Sequence, residues 1–391
     1  MVNLASLTHH FDLPTNRLYL LRDRLLEKGE NIMDLAAGNV NTQGIAFPSN
    51  VLKKALACAV EKTKVYCPHP LGQKEARQAI SRYYAQEKWR ISPEQILLTP
   101  GTSLSYLYAF KVLANPGDEI LAPSPSYPLF DSIAQIAGAK LVSYRLRERK
   151  RWEIDFEDME AIITPRTRAI VLISPHNPTG AVATEEEIKR LSEIASRKNL
   201  AIISDEVFSP FVFNIQRLPR PAQTQAPLVL TLNGFSKMLA LPGLKIGWIA
   251  VTGDPAVTTQ TVKALDHISD TFLPVNEVAQ AAVPQLLANS KLFQKNYPLQ
   301  IRQRMEQAIR LLKDKSELSF ITPEGGFFLT LTLEKQGIEE EEIACMLLEK
   351  HRILMHPGYF YDMEGNHLVL SFVSRPSVLQ RALRAVIEGC R

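Results

Sequence analysis

Short apolar runs alternate with helix-like segments from about residue 72 to residue 253, and this alternation limits the possible folds more than any other feature of the sequence. Runs such as "QILLT" (95–99), "RAIVLISP" (168–175) and "LAIISDE" (200–206) have the length and character of buried strands. Between the last two lies "TEEEIKRLSEIASRKN", in which Thr184 and Glu187 have the spacing of a capping box. Strands that alternate with helices indicate crossover connections and a mostly parallel sheet flanked by helices, in the α/β class.

The last third of the chain has a different pattern. Two long helical segments precede "GGFFLTLTL", a further helix, "HLVLSFV" and a final helix, which is typical of an α+β unit. A chain of 391 residues also exceeds the usual size of one domain. We therefore expect a large domain over 48–285 and a small α+β domain built from both termini, 1–47 and 286–391.

Composition and charge argue against several classes of partner. The 45 basic and 41 acidic residues leave a net charge of only +4, which is spread along the chain. This argues against a nucleic-acid partner. No run of 18 apolar residues predicts a membrane span, and the first 18 residues lack a basic segment followed by a long apolar one, so we expect no secretory signal. The four cysteines form no CxxC pair, which favours a reducing compartment and a cytoplasmic location.

Polar residues follow the predicted strands at the edge where ligands bind in open α/β sheets. "PGTS" follows Thr99 at a predicted helix start, where free amides can hold an anion, although a plain helix cap would have the same sequence. Tyr127 could be a core residue or a stacking surface. Asn177 could donate from its side-chain amide or form an ordinary turn.

A purely structural role explains two charged residues at strand ends less well. Asp205 ends a buried apolar run, where a carboxylate is costly unless it has a partner. Lys237 lies in the apolar run "NGFSKMLALPGLKIGW", and a partly desolvated lysine loses its charge more readily and becomes a nucleophile. A lysine able to form a Schiff base, an aspartate for a ring cation, an aromatic ring and an anion-binding turn suit pyridoxal 5'-phosphate.

The chain resembles the class I/II aminotransferases, which are pyridoxal-phosphate enzymes of fold type I. The resemblance covers nearly the whole length, through "YCPHPLGQKEAR", "TPGTS", "PSPSYP", "SPHNPTG", "ISDEVF", "GFSKMLALPGLKIGW", "PEGGFF" and "HPGYF", in the family's order. It implies an aminotransferase that uses a small-molecule amino donor and an oxo-acid acceptor, with no metal ion.

The resemblance also implies roles for individual residues. Lys237 binds the cofactor covalently and moves the proton, Asp205 pairs with the ring nitrogen, and Asn177 donates to the ring's 3-oxygen. Tyr127 stacks on the ring. The other implied cofactor contacts are Gly101, Thr102, Ser103, Ser236, Lys245 and Tyr66, of which Tyr66 reaches the neighbouring subunit's phosphate and so implies a homodimer. The implied substrate residues are Gly38 and Asn39 in the "LAAGN" loop, with Arg375 as a substitute ligand.

Four positions depart from the family's pattern. Phe208 replaces a tyrosine that donates to the 3-oxygen, Gly234 replaces a phosphate-binding serine, and Lys245 replaces a phosphate-binding arginine. Val369 occupies the position of the arginine that holds the substrate's α-carboxylate. His367 is predicted on the same strand face, and Arg375 could reach the site from the strand's end or lie on the surface.

These departures leave three hypotheses open. The first is an aminotransferase with an atypical amino donor. The second is another pyridoxal-phosphate reaction on the same fold, such as decarboxylation, elimination or amine oxidation. The third is a cofactor-binding regulator. It is disfavoured because only about 30 residues precede "NIMDLAAG", too few for the DNA-binding domain of such regulators, and because Lys237 is kept.

Overall fold

The computed structural model describes residues 15–334 and 339–390. The N-terminal segment, for which no secretory signal is expected, lies largely outside these residues. The helices are α1 (Arg17–Glu27), α2 (Ser49–Lys62), α3 (Lys74–Gln86), α4 (Thr102–Leu113), α5 (Phe130–Ala137), α6 (Phe156–Ala161), α7 (Glu185–Lys198), α8 (Phe235–Met238), α9 (Pro255–Phe272), α10 (Glu277–Ala288), α11 (Lys291–Leu312), α12 (Glu340–His351) and α13 (Pro376–Gly389).

The strands form three sheets. They are β1 (Met33–Asp34), β2 (Ile96–Thr99), β3 (Glu119–Ser124), β4 (Lys140–Glu148), β5 (Trp152–Ile154), β6 (Thr167–Ile173), β7 (Ala201–Asp205), β8 (Leu228–Gly234), β9 (Gly247–Gly253), β10 (Leu318–Ser319), β11 (Phe328–Leu333), β12 (Ile353–Leu354), β13 (His356–Pro357) and β14 (His367–Ser371).

The large sheet has eight strands in the order β2-β9-β8-β7-β6-β3-β4-β5. The five strands from β8 to β4 are parallel, and β2, β9 and β5 are antiparallel to their neighbours. Strand β9 runs antiparallel to β8, to which it is joined by residues 235–246. The prediction of an α/β fold with a mostly parallel sheet flanked by helices is confirmed.

Local sequence explains the elements that frame the site. Strands β2, β7 and β8 are buried along their whole length, which accounts for their continuous apolar runs. The predicted capping box is present at the start of α7: the Thr184 side chain accepts from the Glu187 backbone N–H, and the Glu187 carboxylate accepts from the Thr184 backbone N–H. Gly138 and Asn199 end α5 and α7 in the left-handed conformation.

The smaller sheets come from the two ends of the chain. β10-β11-β14-β13 is an antiparallel sheet, and β1 pairs in parallel with β12. Helices α1, α11, α12 and α13 supply buried residues to the same hydrophobic core as this sheet. The arrangement agrees with a small unit built from both termini, but the boundaries at residues 47 and 285 stay a prediction.

Candidate active site

A cavity of about 320 Å³ lies at the carboxyl ends of β6, β7 and β8. This is the edge of the sheet at which the sequence predicted a ligand site. Its lining residues are Ala36, Gly38, Thr102, Ser103, Tyr106, Tyr127, Pro128, Phe130, Ile133, Ile173, Asn177, Asp205, Val207, Phe208, Lys237, Phe328, His356 and Tyr361. Seven predicted site residues are therefore brought together, although they come from six separate parts of the chain.

Lys237 enters the cavity from the short helix α8, directly after β8. Its Nζ is 3.4 Å from the Gly38 carbonyl oxygen, to which it donates, and 5.7 Å from the ring centres of both Phe208 and Phe327. Burial lowers the pKa of the Lys237 ammonium. A lysine amine among aromatic rings, with no carboxylate partner in the described structure, is suited to react as a nucleophile.

Asp205 ends β7 and is 8% exposed. The Tyr106 hydroxyl donates to Oδ2 at 2.7 Å, and the Val207 backbone N–H donates to Oδ1 at 2.9 Å. Burial raises the pKa of the Asp205 carboxyl to about 6 in spite of these two donors. The carboxylate is thus buried beside the cavity with neutral partners only, an arrangement that a cationic ligand would stabilise.

Asn177 and the start of α4 add polar groups to the cavity wall. The Asn177 Oδ1 is buried and has no hydrogen-bond partner among the described residues. Thr102 and Ser103 form the first turn of α4, whose free backbone amides can bind an anion. Gly101 precedes them with a φ of 134°, a conformation that favours glycine.

The remaining predicted contacts lie at or near the rim. Tyr127 is 40% exposed and lines the cavity, and Gly38 lies so close to Lys237 that an added Cβ would be 3.5 Å from Nζ. Asn39 is exposed and its side chain accepts from the Asn41 backbone N–H, so the structure does not place it on the cavity. Ser236 is half-buried and also lies outside the lining residues.

The loop from β8 to β9 explains one departure from the family's pattern. A Cβ on Gly234 would lie 2.8 Å from the Ile246 carbonyl oxygen, so the close approach of the two strands leaves no room for a serine. Lys245 is exposed and is not a lining residue. However, Gly247 two residues later lies against Gly101, since an added Cβ would be 2.9 Å from the Gly101 Cα. Lys245 is therefore two residues from a backbone contact with the turn that precedes α4.

Tyr66 and Arg375, two of the predicted site residues, are exposed and do not contribute to the cavity of this chain. Tyr66 is 73% exposed and does not line the cavity. Arg375 is exposed at the start of α13, and its guanidinium lies beside Gly44, where an added Cβ would be 3.5 Å from Nε. The structure therefore does not bring Arg375 into the cavity, because it follows the end of β14 and faces the loop around Gly44 instead.

The arginine position on β14 holds no cation. Val369 is 1% exposed and does not line the cavity. His367 is on the same face, as predicted, but its ring is 3.4 Å from the Glu148 carboxylate, away from the cavity. Among the described residues that line the cavity, no arginine is present.

Three lining residues with polar side chains were not predicted from the sequence: Tyr106, His356 and Tyr361. Tyr106 could have been noticed, because a tyrosine in a predicted buried helix needs a partner for its hydroxyl. The motif "HPGYF" contains His356, and Tyr361 follows it, but nothing in the sequence alone brings either to the sheet edge. They are 151 and 156 positions from Asp205, and only the packing of the small sheet brings them there.

The donor set fits pyridoxal phosphate. A desolvated lysine amine, a buried carboxylate for a ring cation, a side-chain amide whose N–H groups can donate to a ring oxygen, and a helix start for a phosphate all border one cavity. No group of three or more His, Cys, Asp or Glu side chains with metal-binding geometry is found in 15–334 and 339–390. Within the same residues no helix is long and apolar enough to cross a membrane.

Comparisons with known proteins show the family of the chain. The family model for aminotransferase class I and II matches residues 30–386. The chain is 28% identical to glutamate-pyruvate aminotransferase AlaA of Escherichia coli (strain K12) over 346 residues, covering 87% of this chain and 85% of that protein. It is 28% identical to a probable aspartate/prephenate aminotransferase of Aquifex aeolicus, covering 98% and 97%.

Solved structures show the same fold. An aminotransferase from Escherichia coli superposes with a TM-score of 0.90 at 26% identity, covering 100% of this chain and 98% of that one. Alanine aminotransferase from Pyrococcus furiosus superposes with a TM-score of 0.93 at 24% identity and 99% coverage of both chains, which bears on the fold alone. Fold and family together define a pyridoxal-phosphate-dependent transferase of fold type I. The chain belongs to the class I and II aminotransferase family.

Proposed function

We propose that the chain is a pyridoxal-phosphate-dependent aminotransferase that acts on an atypical amino donor, with an oxo acid as acceptor. The observation that carries this proposal is the arrangement around one cavity. Lys237, Asp205 and Asn177 border it, while Val369 occupies the position of the carboxylate-binding arginine. The relatives named above are aminotransferases, two of them named for glutamate–pyruvate and aspartate/prephenate activity.

Each lining residue has a role in this proposal. Lys237 binds the cofactor covalently and then carries a proton between its Nζ and the amine carbon of the substrate. Asp205, held by Tyr106, keeps the ring nitrogen protonated, and Asn177 donates to the ring's 3-oxygen. The bound cofactor supplies an electron sink for the electron pair left by that proton. The chain itself supplies position and charge.

The phosphate end is proposed from the start of α4 and its surroundings. Gly101, Thr102 and Ser103 offer backbone amides and hydroxyls, and Lys245 and Ser236 are the next candidates. Lys245 provides a point charge without the two-pronged geometry of an arginine. Tyr127 stacks on the ring, and Gly38 with Asn39 belongs to the loop on the substrate side.

Val369 carries the proposal of an atypical donor. A valine in place of a buried guanidinium removes two charged hydrogen bonds, each worth roughly 1.5–3 kcal/mol. Simple α-amino acids such as alanine or aspartate are therefore expected to be poor donors. Because Arg375 lies outside the cavity, it is a candidate only for an anionic group far from the amine.

A second pyridoxal-phosphate reaction on the same fold is favoured by the same valine. In such enzymes the bond that breaks is the one held perpendicular to the cofactor ring. The arginine normally determines which bond that is, because it holds the substrate's α-carboxylate in place. Without the arginine, decarboxylation, elimination or amine oxidation becomes possible.

The donor half-reaction tests the two alternatives. The cofactor-loaded protein is mixed with an amino donor alone, and the aminated form of the cofactor is followed by absorbance and by chromatography. We expect stoichiometric conversion, reversed by an oxo acid, for at least one donor. Release of carbon dioxide, ammonia or hydrogen peroxide without aminated cofactor would contradict the aminotransferase proposal.

We also propose a homodimer located in the cytoplasm. The segment around Tyr66 carries large exposed apolar side chains, with Val65 at 79% and Tyr66 at 73% exposure. Phe272 and Leu273, both 67% exposed, end the neighbouring helix α9, where Ser269 donates to the Pro70 carbonyl oxygen. An apolar surface of this kind is typical of a subunit interface, and Tyr66 would reach the neighbour's phosphate from it.

A further inference from the structure

The vacated arginine position belongs to a row of three residues across the small sheet. Val369 of β14 pairs with Thr330 of β11 on one side and with His356 of β13 on the other. Directly paired residues present their side chains on the same face of a sheet, so the His356 ring stands beside Val369. Thr330 donates to the Pro178 carbonyl oxygen, whereas His356 lines the cavity. An imidazole is therefore the polar group of this row that reaches the cavity.

His356 is held between two tyrosine hydroxyls. Its Nδ1 is 3.0 Å from the Tyr361 hydroxyl, and its Nε2 is 2.8 Å from the Tyr19 hydroxyl. Phe360 packs against the ring with centres 5.0 Å apart. Burial lowers the pKa of His356 to about 4, opposed by Asp34 and assisted by Arg22. The imidazole is thus neutral at physiological pH, and this hydroxyl–imidazole network (Tyr19, His356 and Tyr361) carries no charge.

The count of protons in this network leaves one donor free. A neutral imidazole has one N–H donor and one acceptor nitrogen. One tyrosine hydroxyl therefore donates to the ring, and the other accepts from the ring and keeps its own proton. When Nδ1 carries the proton, the spare O–H belongs to Tyr361, which lines the cavity. The network can then donate a neutral hydrogen bond to a ligand.

The cavity wall offers no free positive charge for a carboxylate, because Arg22, whose charge acts on His356, lies over the Tyr19 ring and is not a lining residue. Among the described lining residues the ionised groups are Asp205 and Lys237, and the proposed function uses both for the cofactor. The nearby walls are aromatic, with Phe208 and Phe328 at a ring-centre distance of 6.2 Å. A carboxylate beside His356 would be desolvated without a counter-charge, which costs more than the loss of a neutral hydrogen bond.

We infer that His356 and Tyr361 form a neutral hydrogen-bonding site for the substituent on the amine carbon. The matching substrate is a primary amine that carries an uncharged oxygen group, such as a carboxamide, where an α-amino acid has its carboxylate. This inference rests on the proposed function for the placement of the amine at Lys237. In the overall exchange the amine carbon gains a carbonyl oxygen, and the amino group passes to the oxo acid, so no external oxidant is needed.

Equilibrium binding tests the site without relying on turnover. The probes are 4-methylpentanamide and 4-methylpentanoate, which share one carbon skeleton and lack an amino group. Each is titrated into the cofactor-loaded protein at pH 8 in a calorimeter. We expect the amide to bind roughly tenfold more tightly than the carboxylate. Equal or tighter binding of the carboxylate would overturn the inference.

Three variants locate the preference. Tyr361→Phe and His356→Ala are expected to reduce the amide-to-carboxylate ratio to within about threefold, with the cofactor's absorbance spectrum unchanged. The matched control is Tyr359→Phe, which removes a hydroxyl from the same turn, where it donates to the Glu341 carboxylate outside the cavity. If Tyr361→Phe keeps the full ratio, or Tyr359→Phe loses it equally, the inference is wrong. Tyr361→Phe preserves the ring and keeps the test valid if His356→Ala fails to fold.

Turnover separates this inference from the proposed function. Leucinamide and leucine are compared in the donor half-reaction, and we expect the amide to be the faster donor by about tenfold or more. If the amide binds preferentially but no amino donor yields aminated cofactor, the neutral site stands and the aminotransferase proposal fails. If leucine reacts faster than leucinamide, transamination stands as the reaction, whereas the atypical donor and the neutral site are both rejected.

Discussion

Asp205 shows at the scale of a single residue how function opposes stability. Its carboxylate is buried between two neutral donors, the Tyr106 hydroxyl and the Val207 amide. Because burial disfavours the charged form, the pKa of Asp205 rises from 3.8 to about 6. A ring cation would stabilise the charged form. The buried carboxylate therefore destabilises the cofactor-free protein, and bound cofactor would offset that cost.

Asp205→Asn should therefore stabilise the cofactor-free protein at pH 8 and abolish most activity. The pKa of Asp205 is raised in the folded state, so its contribution to stability is present below pH 4 and is lost as the pH rises through about 6. The amide avoids that loss, and we expect a gain of roughly 1–3 kcal/mol at pH 8 that shrinks towards pH 5. Urea unfolding at both pH values measures it, while turnover should fall by several orders of magnitude. A variant that is less stable at pH 8, or that remains active, would contradict the assignment.

Phe208 has a measurable spectroscopic consequence. It lines the cavity at the position of a family tyrosine that donates to the ring's 3-oxygen, and that donor favours the deprotonated form of the lysine–cofactor linkage. Phe208→Tyr should move the pH titration of the visible absorbance to lower pH. Phe213→Tyr, at another buried phenylalanine that is not a lining residue, is the control. An unchanged titration in Phe208→Tyr would mean that another group already supplies the donor.

At the scale of elements, the approach of β8 to β9 determines which residues the loop between them accepts. Gly234 pairs with Gly247, and an added Cβ at Gly234 would meet backbone atoms at 2.8 and 3.0 Å. Backbone cannot rotate away as a flexible side chain can. The missing serine of the family's pattern is thus a consequence of strand packing.

Gly234→Ala is expected to cost about 1–3 kcal/mol of unfolding free energy, because the strands must separate to admit the methyl group. Gly243→Ala is the matched control in the same loop, since an added Cβ there meets nothing within 4 Å. Denaturant unfolding of both variants measures the difference. Equal stability of the two would show that the strands can separate freely at this point.

The elements also show what the sequence could predict. The strand ends at Thr99 and Asp205 agree with the structure, because buried strands leave apolar runs bounded by polar turns. Contacts between distant segments leave no such pattern. Tyr106 meets Asp205 across 99 positions, and Tyr19 meets His356 across 337. Arg375 was predicted as a possible ligand from its distance along the strand, but the chain turns into α13 at that point and directs it to Gly44.

At the scale of the whole molecule, the exposed segment around Tyr66 bears on assembly. Sedimentation should show a dimer at micromolar concentration. In mixed dimers of Tyr66→Ala and Lys237→Ala chains, one site would combine an intact Lys237 with an intact Tyr66 from the other subunit. Co-refolding the two inactive variants should therefore restore up to about a quarter of the wild-type activity if Tyr66 acts across the interface. A fully loaded monomer, or mixed dimers without activity, would contradict this arrangement.

The most direct test of the whole account is the identity of the lysine that binds the cofactor. The protein is loaded with pyridoxal phosphate, reduced with borohydride, digested and mapped by mass spectrometry. The account predicts a single adduct on Lys237, no stable adduct in Lys237→Ala, and an unchanged adduct in Lys245→Ala. A sole adduct on any other lysine would contradict the placement of the active site in this cavity.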